Sequence, residues 1–144
     1  DKIDIKAEFD VENNQIQIVF GARVSRMGAD IQRNEVRYYL GRIFAAVVGI
    51  FLKLHIYDSQ CGAKLFRSSM TSFFEEKFMS KWLFDIELIY RMVKEKGHDG
   101  VKNILMEYPL RTWHEKGDSR LKPTDFFKAP FELLQIHFSY KSKK

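Results

Sequence analysis

Apolar positions recur along this chain at several different spacings, and each spacing predicts a different element. From Gln15 to Phe20 polar and apolar residues alternate before closing on Ile18, Val19 and Phe20, which suits a strand entering a sheet, with Gly21 as its end. Asn34 is placed to cap a helix reaching about Lys53, with Val36, Leu40, Ile43, Phe44, Val47 and Phe51 at helical spacing. After Gly41 that helix is apolar around most of its circumference, as expected of a helix buried in protein or pressed against lipid. His55 to Asp58 reads as a short extended segment, Ala63 to Arg67 as a short strand, and Ser68 or Ser69 as the cap of a helix through Lys77. Trp82 to Lys96 predicts an amphipathic helix with Ile86, Ile89, Tyr90 and Val93 inward, ended by Gly97. Val101 to Leu110 reads as a strand closing near Pro109. Asp125 to Tyr140 reads as a last, phenylalanine-rich helix that Pro130 would kink or divide. Ile3 to Glu12 shows only weak apolar spacing and fits a helix or a tail.

Composition narrows the class. The 144 residues, 45% of them hydrophobic and 15% aromatic, are enough for one domain with an ordinary core, which excludes a disordered tail. A net charge of +5 favours an anionic partner, such as phosphate groups or an anionic membrane surface. Nucleic acid fits less well, because the basic residues are scattered and form no recognised motif. The single Cys61 excludes an intrachain disulfide and a cysteine metal cluster, and it fits a reducing compartment. No second histidine or cysteine stands at metal spacing near His114, so no residue is assigned to a metal. The longest apolar run, Ile43 to Leu52, is about half of the roughly 20 residues a spanning helix needs.

Polar chemistry concentrates in one stretch, Tyr57 to Phe66. Asp58, Gln60 and Lys64 place an acceptor, an amide and a cation within seven positions, beside a joint at Gly62. A solvated turn between two core elements is the plainer reading, and spacing alone leaves both open. A second polar stretch, Gly21 to Gln32, carries Arg23 and Arg26 around Gly28 with Arg33 just beyond, and these guanidinium groups suit a phosphate. Arg33, Arg37 and Gly41 share a helical stripe.

The run Asp58-Ser59-Gln60-Cys61-Gly62-Ala63-Lys64-Leu65-Phe66, preceded by Gly21-Ala22-Arg23 and followed by Trp82-Leu83-Phe84-Asp85-Ile86-Glu87-Leu88, resembles the second half of a family 2 glycosyltransferase. The nearest branch is that of dolichyl- and polyprenyl-phosphate sugar transferases, and the resemblance extends from Ile16 to about Leu134. It implies an α/β fold, the C-terminal part of a Rossmann-like GT-A domain, with residues 1–144 forming a single partial domain. It also implies transfer of a sugar from a nucleotide-sugar donor to a polyprenyl or dolichyl phosphate, with inversion. Arg23 and Arg37 match the arginines that engage the acceptor phosphate, and Gly117-Asp118-Ser119-Arg120 resembles the loop closing over the donor diphosphate, with Arg120 and Lys116 as its cations. Asp58 would orient the acceptor or act as the base, with Gln60 and Lys64 shaping its loop and Asp85 and Glu87 as further catalytic candidates. The pattern Phe84-Asp85 departs from the family's common Glu-Asp, and a phosphate acceptor, with a second pKa of about 6, needs little help from a base.

The family's Asp-x-Asp motif, which holds magnesium or manganese on the donor diphosphate, does not occur here. The residues from Asp1 to Asn14 open with neither a cap nor a strand, so the chain is expected to be a truncated piece and inactive alone, with the main metal ligands elsewhere. The implied setting is cytoplasmic, peripheral on the inner face of a membrane, with residues 123–144 as a membrane-surface helix and self-association covering any open sheet edge. The alternatives are a non-catalytic module that binds anionic membrane through its aromatic and basic helices, or a family 2 enzyme with a saccharide acceptor.

Overall fold

The computed structural model describes residues 15–32, 34–114 and 123–142, less the side chains of Arg37, residues 123–127 and Ser142. It is a mixed α/β fold. Strands β1 (Ile18–Ala22), β2 (Asp30–Gln32), β3 (Lys64–Phe66), β4 (Leu105–Pro109) and β5 (Thr112–His114) alternate with helices α1 (Glu35–Leu52), α2 (Phe84–Ile104) and α3 (Pro123–Ser142), and a 3-10 turn covers Ser68–Phe74. The helix or tail expected over Ile3 to Glu12 and the loop from Lys116 to Arg120 lie outside the described residues.

Strand β1 is central, antiparallel to β3 and parallel to β4, with Phe20 opposite Lys64 on one side and Glu107 on the other. Its five residues are all buried, as expected of a strand covered on both faces. Strands β2 and β5, which were not anticipated, pair in parallel as a separate two-stranded sheet. The core joins Ile18 and Phe20 to Val48 and Leu52 of α1, Ile86, Ile89 and Met92 of α2, and Leu133 and Ile136 of α3.

Several boundaries differ from expectation, each for a local reason. The first strand does not stop at Gly21, because Gly21 and Ala22 continue in register with Tyr108 and Pro109. Helix α1 ends where expected, at the left-handed residue Lys53 (φ 53°), with the Leu54 amide donating to the Gly49 carbonyl at 3.3 Å in the manner of a Schellman cap. The expected Ser68 helix is a 3-10 turn with no side-chain cap. Gly97, at φ 72°, breaks α2 as expected, but a further helical segment to Ile104 delays the strand to Leu105 by burying Val101 and Ile104 at helical spacing. Pro130 lies within α3, which runs through it as one helix.

Gly21 also lets the Asp58 loop approach β1. A Cβ there would lie 3.1 Å from both the Cβ and the carbonyl oxygen of Ala63 and 3.2 Å from Leu110 Cδ2, while the Gly21 amide donates to the Ala63 carbonyl at 2.8 Å. Gly21→Val is therefore expected to destabilise the chain by about 1–3 kcal/mol through overpacking. Urea denaturation at neutral pH checks this, and an unchanged midpoint would mean the loop yields freely.

Candidate functional site

Strand β1 delivers Arg23 at its C-terminal end, where the Tyr57 to Gly62 loop crosses. Arg23 and Asp58 form a two-point ion pair: Nε donates to Oδ2 at 2.7 Å and an Nη to Oδ1 at 2.8 Å, and the Arg23 backbone amide donates to Oδ2 at 3.1 Å. This fork geometry suits a carboxylate or a phosphate equally. The Arg23 guanidinium also lies 5.5 Å from the ring centre of Trp113 on β5, so the small sheet flanks the pair. Asp58 is buried while the arginine stays a quarter exposed at 26%, which leaves the cation open to an incoming anion.

The loop backbone is held from beneath. Glu107 of β4 accepts from the Tyr57 amide at 2.7 Å and the Asp58 amide at 2.8 Å. Arg42 of α1 donates to the Tyr57 carbonyl at 2.9 Å and lies 3.8 Å from the Tyr57 ring centre. The loop then turns, with the Cys61 amide donating to the Asp58 carbonyl at 3.2 Å. Burial pushes the Cys61 thiol above its ordinary pKa, so it stays a neutral packing group. Gln60 Nε2 is buried and has no acceptor among the described residues, an orphaned donor that a ligand oxygen would satisfy.

Beside this loop, Lys64 of β3 and Asp85 of α2 form a buried ion pair at 3.2 Å. The Lys64 ammonium also donates to the Cys61 carbonyl and lies 4.8 Å from the Phe20 ring centre, tying the loop to the sheet. Burial raises the Asp85 pKa above the ordinary carboxylate range, although Lys64 pulls it down.

Glu87, two residues along the same helix, is in different surroundings. It is 0% exposed, and its carboxylate accepts from the Met79 amide (2.8 Å), the Ser80 amide (3.4 Å), Arg91 (3.0 Å) and the Tyr140 hydroxyl (2.9 Å). Arg91 also donates to the carbonyls of Phe73, Glu76 and Lys77 and packs 4.0 Å from the Phe78 ring centre. Burial alone would lower the Arg91 pKa, but its hydrogen bonds with Tyr140 and Glu87 more than offset that. This network, with the Glu87 carboxylate at its centre, fastens residues 73–80 and α3 to α2. The two further catalytic candidates of α2 thus stand in separate ion pairs, Asp85 with Lys64 and Glu87 with Arg91.

Of the other residues singled out in the sequence, the Arg37 side chain, Lys116 and Arg120 lie outside what is described. His114 is exposed, as expected of a surface histidine, and its Nε2 lies 2.6 Å from Asp30 Oδ2. That hydrogen bond, followed by one from Gln32, lowers the Asp30 pKa. Sequence reasoning missed Glu107, Arg42 and Tyr57. The available signal was charge out of place: Arg42 is the one charged residue between Gly41 and Leu52, and Glu107 the one between Ile104 and Leu110.

Set beside proteins of known activity, the chain is 30% identical over 131 residues to a dolichyl-phosphate beta-glucosyltransferase of Trichomonas vaginalis, covering 90% of this chain and 37% of that protein. A second such enzyme from the same organism is 29% identical over 133 residues, and that of Saccharomyces cerevisiae is 27% identical over 135 residues, each alignment covering 91% of this chain and 38% of the relative. The chain thus spans a little over a third of the length of the curated relatives it matches. The expected kinship with dolichyl- and polyprenyl-phosphate sugar transferases is borne out. No protein-family model matches the chain, and no solved structure matches it.

The Lys64–Asp85 pair makes a prediction with a definite pH sign. Because its folded pKa is raised, Asp85 binds its proton more tightly in the folded state than unfolded. Its contribution is therefore most favourable below the ordinary carboxylate range near 4 and is lost as pH rises through the raised value. Lys64→Met leaves Asp85 buried without its cation and should cost about 3–5 kcal/mol at neutral pH. The cost should shrink as pH falls and Asp85 takes up its proton. Urea denaturation of both proteins across pH 3–8 checks it, and a cost independent of pH would mean Lys64 acts through packing alone.

Proposed function

We propose that this chain, a homologue of dolichyl-phosphate beta-glucosyltransferases, is the acceptor-side part of a GT-A glycosyltransferase that transfers glucose from a nucleotide sugar to a polyprenyl phosphate. The observation that carries this is the Arg23–Asp58 pair at the C-terminal end of β1, where an arginine fork meets an oxyanion beside converging loops. In open α/β sheets, ligands gather at the carboxyl ends of strands. The acceptor's phosphate monoester, with a charge between −1.5 and −2 near neutral pH, is a stronger claimant for that fork than a carboxylate.

In the reaction, a non-bridging phosphate oxygen attacks the anomeric carbon of the donor sugar. The new bond is carbon to phosphate oxygen. The bond that breaks joins the anomeric carbon to the nucleoside diphosphate, which leaves with the electron pair, and a single displacement inverts the centre. Since the attacking oxygen is already ionised, no proton need be removed, and Asp58 serves to hold Arg23 in line before the phosphate arrives. Arg23, joined by Arg37 from α1, offsets the repulsion between two anionic substrates. Lys116 and Arg120 would do the same at the donor diphosphate.

A divalent metal, magnesium or manganese, would neutralise that diphosphate in the intact enzyme. Among the described residues no group of three carboxylate, histidine or cysteine side chains is placed to hold one, so no step is assigned to a metal on these residues.

Two helices support a membrane setting. Helix α1 exposes Val36, Tyr39, Leu40, Ile43, Val47 and Ile50 at helical spacing, and α3 exposes Phe131, Leu134 and Phe138 ahead of Lys141. Apolar faces with basic ends suit the surface of an anionic cytoplasmic leaflet, where a polyprenyl phosphate presents its headgroup. Among the described residues no helix is long and apolar enough to cross a membrane.

The test is transfer of radiolabelled sugar from a panel of nucleotide sugars to polyprenyl phosphate by the full-length protein, with magnesium or manganese. Arg23→Ala should lower turnover by about 10²–10³-fold, the usual effect of losing one oxyanion donor. Turnover unaffected by Arg23→Ala would overturn the site, and transfer onto a saccharide instead of the lipid phosphate would replace the acceptor.

A further inference from the structure

We infer that Arg42 and Glu107 form a positioning pair that fixes the Tyr57–Asp58 peptide, and through it the Asp58 carboxylate, opposite Arg23. The inference rests on the acceptor-phosphate reading above for its catalytic consequence, but its structural basis is independent of it.

One peptide unit is held at both ends by opposite charges. Its carbonyl oxygen, from Tyr57, accepts from the Arg42 guanidinium at 2.9 Å, and its N–H, from Asp58, donates to the Glu107 carboxylate at 2.8 Å. The cation therefore sits at the negative end of the peptide dipole and the anion at the positive end. Flipping the plane would bring like charge to like at both contacts, so a single orientation is allowed. Hydrogen bonds linked in this way polarise one another and strengthen together. Glu107 uses its second oxygen on the preceding amide, that of Tyr57, at 2.7 Å, and Arg42 covers the Tyr57 ring at 3.8 Å. The residue before Asp58 is thus fixed through its amide, carbonyl and ring, by side chains from α1 and β4.

The placement has a specific consequence when the site is used. Asp58 receives two bonds from the Arg23 guanidinium and one from the Arg23 backbone amide. A phosphate that takes the guanidinium fork removes the first two, and a carboxylate on an unsupported loop would then swing to solvent. With the backbone held by Arg42 and Glu107, it stays beside the arginine and the incoming phosphate. Glu107 and Arg42 are positioning residues acting through Asp58.

The test has two arms. In the chain itself, hydrogen exchange by NMR should show the Tyr57 and Asp58 amides losing protection in Glu107→Gln by about 10- to 100-fold, the range for a hydrogen bond to a charged group, while core amides such as Ile89 keep theirs. Arg42→Lys, which keeps the charge but loses the fork, is the second variant and should move the same two amides should Glu107→Gln fail to fold. In the full-length protein, Glu107→Gln should lower kcat for sugar transfer on the order of 10²-fold with KM for polyprenyl phosphate little changed. In an Asp58→Asn background the same substitution should cost almost nothing further. Unchanged protection at both amides, or an equal loss in the Asp58→Asn background, would overturn the inference. Absence of turnover in the unsubstituted full-length protein would instead sink the acceptor-phosphate reading, and the exchange arm would still decide whether the pair holds the loop.

Discussion

Everything at the site follows from the requirement that a charged group removed from water find an opposite charge or a full set of hydrogen bonds. Asp58 is buried at the end of a strand that is itself buried on both faces, and it meets that requirement through Arg23. The pair holds the loop to the strand end, and Lys64 of β3 in turn joins the loop, at the Cys61 carbonyl, to Asp85 of α2. Gly21 permits the approach by having no Cβ to meet Ala63, so an absent side chain and an ion pair act together on neighbouring residues.

The two carboxylates of α2 show how surroundings divide the roles of similar residues. Residues two apart on a helix point about 200° apart around its axis. Asp85 consequently faces the sheet and shares one ammonium, Lys64, whose attraction is outweighed by burial, so its proton is held more tightly than usual. Glu87 faces the 73–80 segment and α3, where four donors hold its carboxylate. A group so fully hydrogen-bonded fixes the geometry of the segments that bond to it. Asp85, its proton held more tightly than usual by burial, lies beside the Asp58 loop.

Much of the fold was legible because it is local. The alternation into Phe20, the helical spacing after Asn34 and the positive-φ glycine at Gly97 were each read within a few residues of where the structure places them. The errors fell where tertiary contact overrides local preference. Gly21 looked like a strand end because glycine usually punctuates a strand, yet pairing with Tyr108 and Pro109 carries the strand onward. The short β2 and β5 carry almost no signal in three residues each, and their pairing joins segments some eighty residues apart. Helix α1 was read as apolar on most sides, and it is: Val48 and Leu52 enter the core while Ile43 and Ile50 stay at least 64% exposed.

The site divides along the same line. Arg23, Asp58, Lys64 and Asp85 lie in short polar stretches, so spacing and resemblance drew attention to them, and the structure brings them together in two adjacent pairs. Arg42 and Glu107 were overlooked because each is the one charge in an apolar run, fifteen and fifty residues from the Tyr57 they hold. Their shared partner is one peptide plane, whose carbonyl Arg42 holds and whose N–H Glu107 holds. That plane ties α1, with its exposed apolar face, to β4 and to Asp58. Helix α1 is thereby connected, through the Arg42 guanidinium, to the loop that carries the carboxylate opposite Arg23.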